Sequence, residues 1–184
     1  DAADEAIAGR AACTITFATG RCGLAANRDL KDLHADRYVT GWNPAGKADD
    51  TVMLARVTRD DDDAAVATLV NYACHPTTLA WQNRLLSPDF VGAMRDTIEQ
   101  SAGGLCLFMQ GASGELAPRH QYVGDTAIAD HHGHALGHAA LGALATMLPP
   151  RQALGYDGVI ESGAPLAVWT PKPCEPNGAL RAVG

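Results

Sequence analysis

A pair of predicted strands, followed by a helix and a third strand, limits the folds that this chain can adopt. Residues 52–58, V-M-L-A-R-V-T, and 64–72, A-A-V-A-T-L-V-N-Y, read as strands, and the charged turn R-D-D-D-D between them predicts an antiparallel hairpin. The acidic turn is predicted to be a solvated surface turn. Its four aspartates can in principle hold calcium, but the spacing of an EF-hand is absent.

A helix and a buried strand are predicted to follow the hairpin. Ser87-Pro88-Asp89 offers an N-cap serine, a proline at the first helical position and an acid in the first turn, which predicts a helix from Pro88 to about Ser101 that stops at Gly103-Gly104. The apolar run 105–109, L-C-L-F-M, predicts a strand covered on both faces. Because a strand, helix and strand in this order form a crossover, we predict an α/β fold with a mixed, partly parallel sheet flanked by helices.

The rest of the chain predicts one domain and a different final segment. Residues 11–18 indicate a strand, 19–50 an irregular stretch long enough to suggest a functional loop, and 125–147 a second long helix. Residues 1–150 are therefore predicted to form the central part of one α/β domain. Residues 151–184 are predicted to hold edge strands and a proline-rich tail or linker.

Composition excludes several classes of partner. The net charge of -7 disfavours binding to the phosphate backbone of nucleic acid. No stretch approaches the ~20 apolar residues of a transmembrane helix, and no signal peptide is visible, so we expect a soluble protein whose compartment is undetermined. Five cysteines without a C-x-x-C pair predict neither a disulfide framework nor a thiolate zinc site.

His75 is the first candidate for chemistry. It ends the apolar run V-N-Y-A-C-H-P-T-T-L, and Pro76 stops the strand ladder directly behind it. Strand ends are where an open α/β sheet presents ligand-binding side chains. The alternative is a histidine that merely caps the strand end through a backbone hydrogen bond.

Two further segments carry candidate residues. The loop 109–119, M-Q-G-A-S-G-E-L-A-P-R, is rich in small residues whose amides can approach an anion, although an ordinary turn explains it equally well and Ser113 is not in a nucleophile elbow. In D-H-H-G-H-A-L-G-H, residues 130–138, His131, His134 and His138 share one side of the predicted helix and form a possible metal site. The alternative is a row of histidines beside the apolar arc of the helix.

In order along the chain, these motifs resemble the N-terminal region of neutral/alkaline ceramidases. The resemblance covers about residues 10–160, and the H-P-T block at His75 and the G-x-x-G-[D/E]-x-x-P block that ends at Pro118 are its most specific parts. It implies a mixed α/β domain that uses zinc to hydrolyse the amide of N-acylsphingosine. It further implies that His75 is a zinc ligand, that Arg28 contacts the substrate, and that the 110–119 loop, with Gln110 and Ser113, lines the substrate pocket.

The chain departs from the family pattern in two respects. Ala117 stands where the family has a serine implicated in catalysis. The other zinc ligands implied by the resemblance, an H-x-H block upstream and a glutamate and a tyrosine downstream, lie in segments that this chain does not contain. Because a catalytic zinc takes three protein ligands, we expect a fragment of a larger enzyme that is inactive in isolation.

Three functional hypotheses follow from the sequence. The first is part of a ceramidase-like, zinc-dependent hydrolase of N-acyl lipid amides, secreted or periplasmic by the family resemblance. The second is a non-catalytic α/β binding or structural domain that keeps the scaffold without a complete metal site. The third is metal storage or sensing by the histidines at 131–138.

Overall fold

A four-stranded mixed sheet forms the centre of the protein, and the computed structural model describes it within residues 1–179. The helices are α1 Ala2–Ala8, α2 Phe90–Ala102 and α3 Thr126–Ala145. The strands are β1 Cys13–Arg21, β2 Ala25–Asn27, β3 Asp29–Asp32, β4 Arg37–Thr40, β5 Thr51–Arg59, β6 Ala65–Tyr72, β7 Leu105–Gln110, β8 Leu116–Pro118, β9 Gln152–Glu161 and β10 Pro165–Pro173.

The order of strands in the main sheet confirms the predicted topology. The sheet reads β1-β5-β6-β7, with β5 antiparallel to both β1 and β6. Strand β7 is parallel to β6 and returns to it through α2, which is the predicted crossover. The fold is therefore mixed α/β, as the sequence predicts.

Helices α2 and α3 pack against each other and cover one face of the sheet. The core between them contains Val70, Tyr72, Phe90, Met94 and Leu136, all fully buried. The two helices approach closely at Gly133, where an added Cβ would lie 2.4 Å from the carbonyl oxygen of Phe90. A side chain at that position would push α3 away from α2.

The other face of the sheet is exposed, so the prediction that residues 105–109 are covered on both faces is wrong. Leu105, Leu107 and Met109 alternate with the buried Cys106 and are each more than half exposed. A continuous apolar run carries no period, and it therefore cannot distinguish a strand covered on both faces from one covered on a single face. The register places further exposed apolar side chains on the same face of the sheet, on β1 and β5, namely Ile15, Phe17 and Met53.

Three smaller strand pairs surround the main sheet. Residues 19–50 are not wholly irregular, because they include the end of β1 and contain β2 together with the β3-β4 hairpin. Strands of three or four residues are too short to show a sequence period, which explains why they were not predicted. The last pair, β9-β10, forms a separate two-stranded hairpin and is not an edge of the main sheet.

The ends of the helices follow most of the predicted signals. Helix α3 begins after Asp125, whose carboxylate accepts a hydrogen bond from the backbone of Ala127. Helix α2 begins two residues later than predicted, because its N-cap is Asp89 and not Ser87. The short helix α1, with its capping box at Asp1, was not predicted. The division at residue 150 remains a prediction, and the final five residues of the predicted 151–184 segment lie outside the described residues.

Candidate functional site

His75 lies three residues beyond the end of β6, against the loop that joins β7 to β8. Its backbone N–H donates to the carbonyl oxygen of Leu116 at 2.9 Å. Its ring Nδ1 lies 2.6 Å from the carbonyl oxygen of Ser113 and 3.2 Å from that of Leu116. Because both partners are acceptors, Nδ1 must carry a proton, and in that tautomer Nε2 is the acceptor nitrogen of the ring.

Arg28 lies directly beyond β2 and contacts the same loop. Its Nε donates to the carbonyl oxygen of Gly114 at 3.0 Å, and its backbone N–H donates to that of Glu115 at 2.8 Å. Its guanidinium Nη2 lies 3.4 Å from Nε2 of His75. We call His75, Arg28 and the loop 113–116 the His75 site.

The side chains of Gln110 and Ser113 hold the loop of the His75 site in place. The side-chain amide of Gln110 donates to the carbonyl oxygen of Cys74 at 3.1 Å and to Oγ of Ser113 at 2.6 Å. Ser113 is buried, so its hydroxyl faces the protein while its carbonyl faces His75. In this structure both side chains fix the loop that holds the imidazole.

Ala117 is buried on strand β8, next to the site. It pairs with Ala26 of β2 and is 1% exposed. The short β2-β8 ladder thus brings Arg28 and the loop 113–116 together across some 90 residues of sequence. Residue 117 offers a methyl group and no hydroxyl.

The candidate histidines of α3 have different surroundings. His134 Nδ1 lies 3.0 Å from Oγ1 of Thr97 on α2, while His131 lines a separate cavity, beside His132. Across residues 1–179 no three His, Cys, Asp or Glu side chains are grouped closely enough to hold a metal ion. The structure therefore does not bring His131, His134 and His138 together as a ligand set.

The geometry of His75 suits one metal ligand but not a whole site. A metal-binding histidine usually donates its second ring N–H to a carbonyl or carboxylate, as Nδ1 of His75 does here. However, the cationic Arg28 lies beside Nε2, and a catalytic zinc needs three protein ligands. The described residues thus offer zinc a single ligand.

Several contacts of the site could not be predicted from local sequence. The carbonyl oxygens of Ser113, Gly114 and Leu116 carry no side-chain signal. His75 contacts those of Ser113 and Leu116 from 38 and 41 residues away, and Arg28 contacts that of Gly114 from 86 residues away. Arg119 and Trp42 also meet, with the guanidinium 5.8 Å from the indole centroid. The proximity of those two residues depends on the unpredicted β2-β8 ladder.

Comparisons with solved structures reveal a distant likeness of fold. The chain superposes on a ceramidase complexed with C2 with a TM-score of 0.61 and 17% identity, and on the neutral ceramidase from Pseudomonas aeruginosa with a TM-score of 0.60 and 15% identity. Each match covers 78% of this chain but only 24% of the other. No protein-family model and no curated protein matches the sequence.

These comparisons define a class of fold. The chain has a ceramidase-like mixed α/β fold and spans about a quarter of the length of the ceramidases it resembles. At 15–17% identity the likeness concerns the fold alone. Within the described residues no helix is long and apolar enough to cross a membrane.

Proposed function

We propose that this chain is part of a ceramidase-like, zinc-dependent hydrolase that cleaves amide bonds in N-acyl, sphingolipid-like substrates. The observation that carries the proposal is the state of His75, whose Nδ1 is held by the carbonyls of Ser113 and Leu116 while Nε2 keeps its lone pair. The ceramidase-like fold supports it as a likeness of architecture. The activity belongs to the whole protein, with the remaining zinc ligands supplied by segments outside this chain.

Each residue of the His75 site has a role in this proposal. His75 offers Nε2 as one of the zinc ligands, held in orientation by the loop carbonyls. A bound zinc ion supplies an activated water and polarises the amide carbonyl, which is what hydrolysis near neutral pH requires. Gln110 and Ser113 keep the loop, and hence the imidazole, in place.

Arg28 is proposed to contact the polar head group of the substrate. A guanidinium offers several N–H donors in one plane, which suits hydroxyl and carbonyl oxygens. Its Nε is already used by the carbonyl of Gly114, so the terminal nitrogens are the ones left for substrate. Since Nη2 lies beside Nε2 of His75, the planar guanidinium has to move as one unit, with loss of its hydrogen bond to Gly114, when a metal binds there.

The first experiment examines the imidazole itself. Long-range proton–nitrogen NMR spectra of the 15N-labelled chain near pH 8 should show His75 with Nδ1 protonated and Nε2 unprotonated. His34, in the exposed turn after β3, serves as the control and should show the mixture of tautomers of a free imidazole. If His75 carried its proton on Nε2, the proposal that this nitrogen is a metal ligand would be wrong.

The second experiment examines the activity of the full-length protein that contains this chain. Release of free amine from N-acylsphingosine and from shorter N-acyl substrates is followed over a series of zinc concentrations. His75→Asn should abolish zinc-dependent turnover, and Arg28→Lys should raise KM more than it lowers kcat. A His34→Asn variant should behave as the parent. No amine release at any zinc concentration would refute the proposed function.

A second candidate function has one observation in its favour. Ala117 offers no hydroxyl where the resemblance to ceramidases places a serine, and it is buried on strand β8, as expected for a scaffold that binds a ligand without catalysis. If Ala117→Ser in the full-length protein creates amide hydrolysis that the parent lacks, this non-catalytic alternative is the better description of the parent. If the parent already turns over, the alternative is excluded.

A further inference from the structure

A cavity of about 440 Å³ with a cationic lining lies apart from the His75 site. Its walls are the turn between β1 and β2, the end of β8 and one side of α3. The polar residues that face it include Arg119, His120, His131 and His132, and no aspartate or glutamate of residues 1–179 lines it. A wall without carboxylates is unexpected in a chain whose net charge is -7.

Arg119 supplies a permanent charge that no carboxylate neutralises. Within the described part of the chain its guanidinium forms neither an ion pair nor a hydrogen bond, and its nearest defined partner is the face of Trp42. Arg21 also borders the cavity, but it is paired with Asp50. Arg119 is therefore the cation that can engage a ligand.

His120, His131 and His132 place further N–H donors around Arg119. His120 and His131 are exposed, and no side-chain hydrogen bond occupies their rings in residues 1–179. His132 is half-buried, with Nδ1 3.0 Å from Oγ1 of Thr78. Burial lowers the pKa of His132, and the neighbouring His131 lowers it further. An anion in the cavity would offset this crowding of like charges.

The arrangement does not suit a metal cation. The cavity holds three imidazoles, yet they are not grouped closely enough to serve as a ligand set, and a guanidinium stands among them. Donors that are spread over a cavity of this volume suit a small molecule with several acceptor oxygens. A planar guanidinium and imidazole N–H groups are typical partners of a phosphate group.

We propose that the cavity lined by Arg119, His120, His131 and His132 binds a phosphate monoester, either a small soluble molecule or the head group of a lipid. Arg119 binds two oxygens of the phosphate, and the histidines donate to the others. The lining shares no residue with the His75 site, so this inference is independent of the proposed function.

The test follows the imidazole NMR signals of the 15N-labelled chain at one fixed pH. Inorganic phosphate and glycerol 3-phosphate are added separately, at constant ionic strength in sodium chloride. We expect saturable shifts of His120, His131 and His132, with a dissociation constant of about 1 mM or tighter. His138, on α3 but outside the cavity, should not shift and serves as an internal reference.

Two variants separate a built site from general attraction to charge. Arg119→Gln should weaken phosphate binding roughly tenfold or more, the effect of losing a charge-assisted hydrogen-bonded pair. Arg10→Gln removes an exposed arginine outside the cavity and should leave the dissociation constant unchanged. The proposal would be overturned if both substitutions weakened phosphate binding equally. It would also be overturned if the parent showed no saturable NMR shift with either phosphate compound and did not bind the vesicles.

Vesicle binding distinguishes the two sources of the phosphate group. Phosphatidylcholine vesicles with and without phosphatidic acid are sedimented with the parent and with Arg119→Gln. Binding that needs both phosphatidic acid and Arg119 assigns the cavity to a lipid head group. Saturable binding of glycerol 3-phosphate without sedimentation assigns it to a soluble phosphate ester.

Discussion

The buried hydroxyl of Tyr72 connects the main sheet to the segment that leads into β2. It donates to the carbonyl oxygen of Cys22 at 2.7 Å and accepts a hydrogen bond from the backbone N–H of Ala25 at 2.8 Å. Burial raises the pKa of Tyr72, so the group stays a neutral phenol that can fill both roles. Tyr72→Phe removes the hydroxyl and leaves two backbone groups without this partner.

The expected cost follows from those two groups. A buried polar group that loses its partner costs about 1–3 kcal/mol. Cys22 borders a cavity that water can enter, so its carbonyl is expected to lie near the lower end of that range. We therefore expect Tyr72→Phe to lower the free energy of unfolding by about 2–4 kcal/mol, or the melting temperature by roughly 5–15 °C for a chain of this size.

Urea unfolding followed by tryptophan fluorescence measures this loss directly. Tyr38→Phe is the matched control, because Tyr38 is 74% exposed and its hydroxyl forms no hydrogen bond within residues 1–179. The control should stay within about 0.5 kcal/mol of the parent. If Tyr72→Phe also fell within that margin, the hydroxyl would not hold the β1-β2 turn, and the reasoning would be refuted.

Three further predictions concern packing, thiol reactivity and pH. Gly133→Ala should lower the free energy of unfolding by about 1–3 kcal/mol in urea titrations because its methyl group meets α2, whereas Gly142→Ala, with open space around it, should raise it by up to about 1 kcal/mol. With Ellman's reagent at pH 8, the exposed Cys13 and Cys174 should react fast; the other three thiols are buried, which raises their pKa, and they should react only on unfolding. The pKa of His132 is lower in the folded chain than its ordinary value of 6.5, so below pH 6.5 the unfolded chain binds more protons than the folded chain. The free energy of unfolding should therefore fall as the pH drops below 6.5, and it should fall less steeply in His132→Gln.

The elements that were predicted correctly have signals within a few residues. The β5-β6 hairpin was predictable because two apolar strands flank the turn R-D-D-D-D, and α3 because it combines a capping residue, Asp125, with a helical apolar period and a proline stop. The crossover to β7 followed from the order of elements alone. These features need no knowledge of what the chain packs against.

The start of α2 shows how a tertiary contact overrides a local signal. Ser87-Pro88 has the ordinary signature of a helix start, yet the cap is Asp89, at a positive φ of 56°. One carboxylate oxygen of Asp89 caps Phe90 and the other accepts from the backbone N–H of Leu79, both at 2.7 Å. The second contact comes from the loop after His75, and no local pattern announces it.

The candidate site likewise depends on tertiary contacts that local sequence does not reveal. The sequence singles out His75 as a candidate beyond the end of β6, and it cannot give the partners of its imidazole, which are main-chain carbonyls of a distant loop. Both sequence interpretations of His75 then turn out to describe one geometry. The strand-cap interpretation predicts a hydrogen bond from Nδ1 to the backbone, and the same hydrogen bond orients Nε2 toward a ligand.

The choice between a structural and a functional histidine therefore depends on what faces Nε2. In this structure it is Nη2 of Arg28, at a distance longer than an ordinary N–H hydrogen bond and from a group that repels cations. Because the guanidinium is planar and its Nε donates to the carbonyl oxygen of Gly114, moving Nη2 away from Nε2 requires the whole group to rotate and that hydrogen bond to break. The position of one guanidinium group thus controls access to the only ring nitrogen of His75 that is not bonded to the loop.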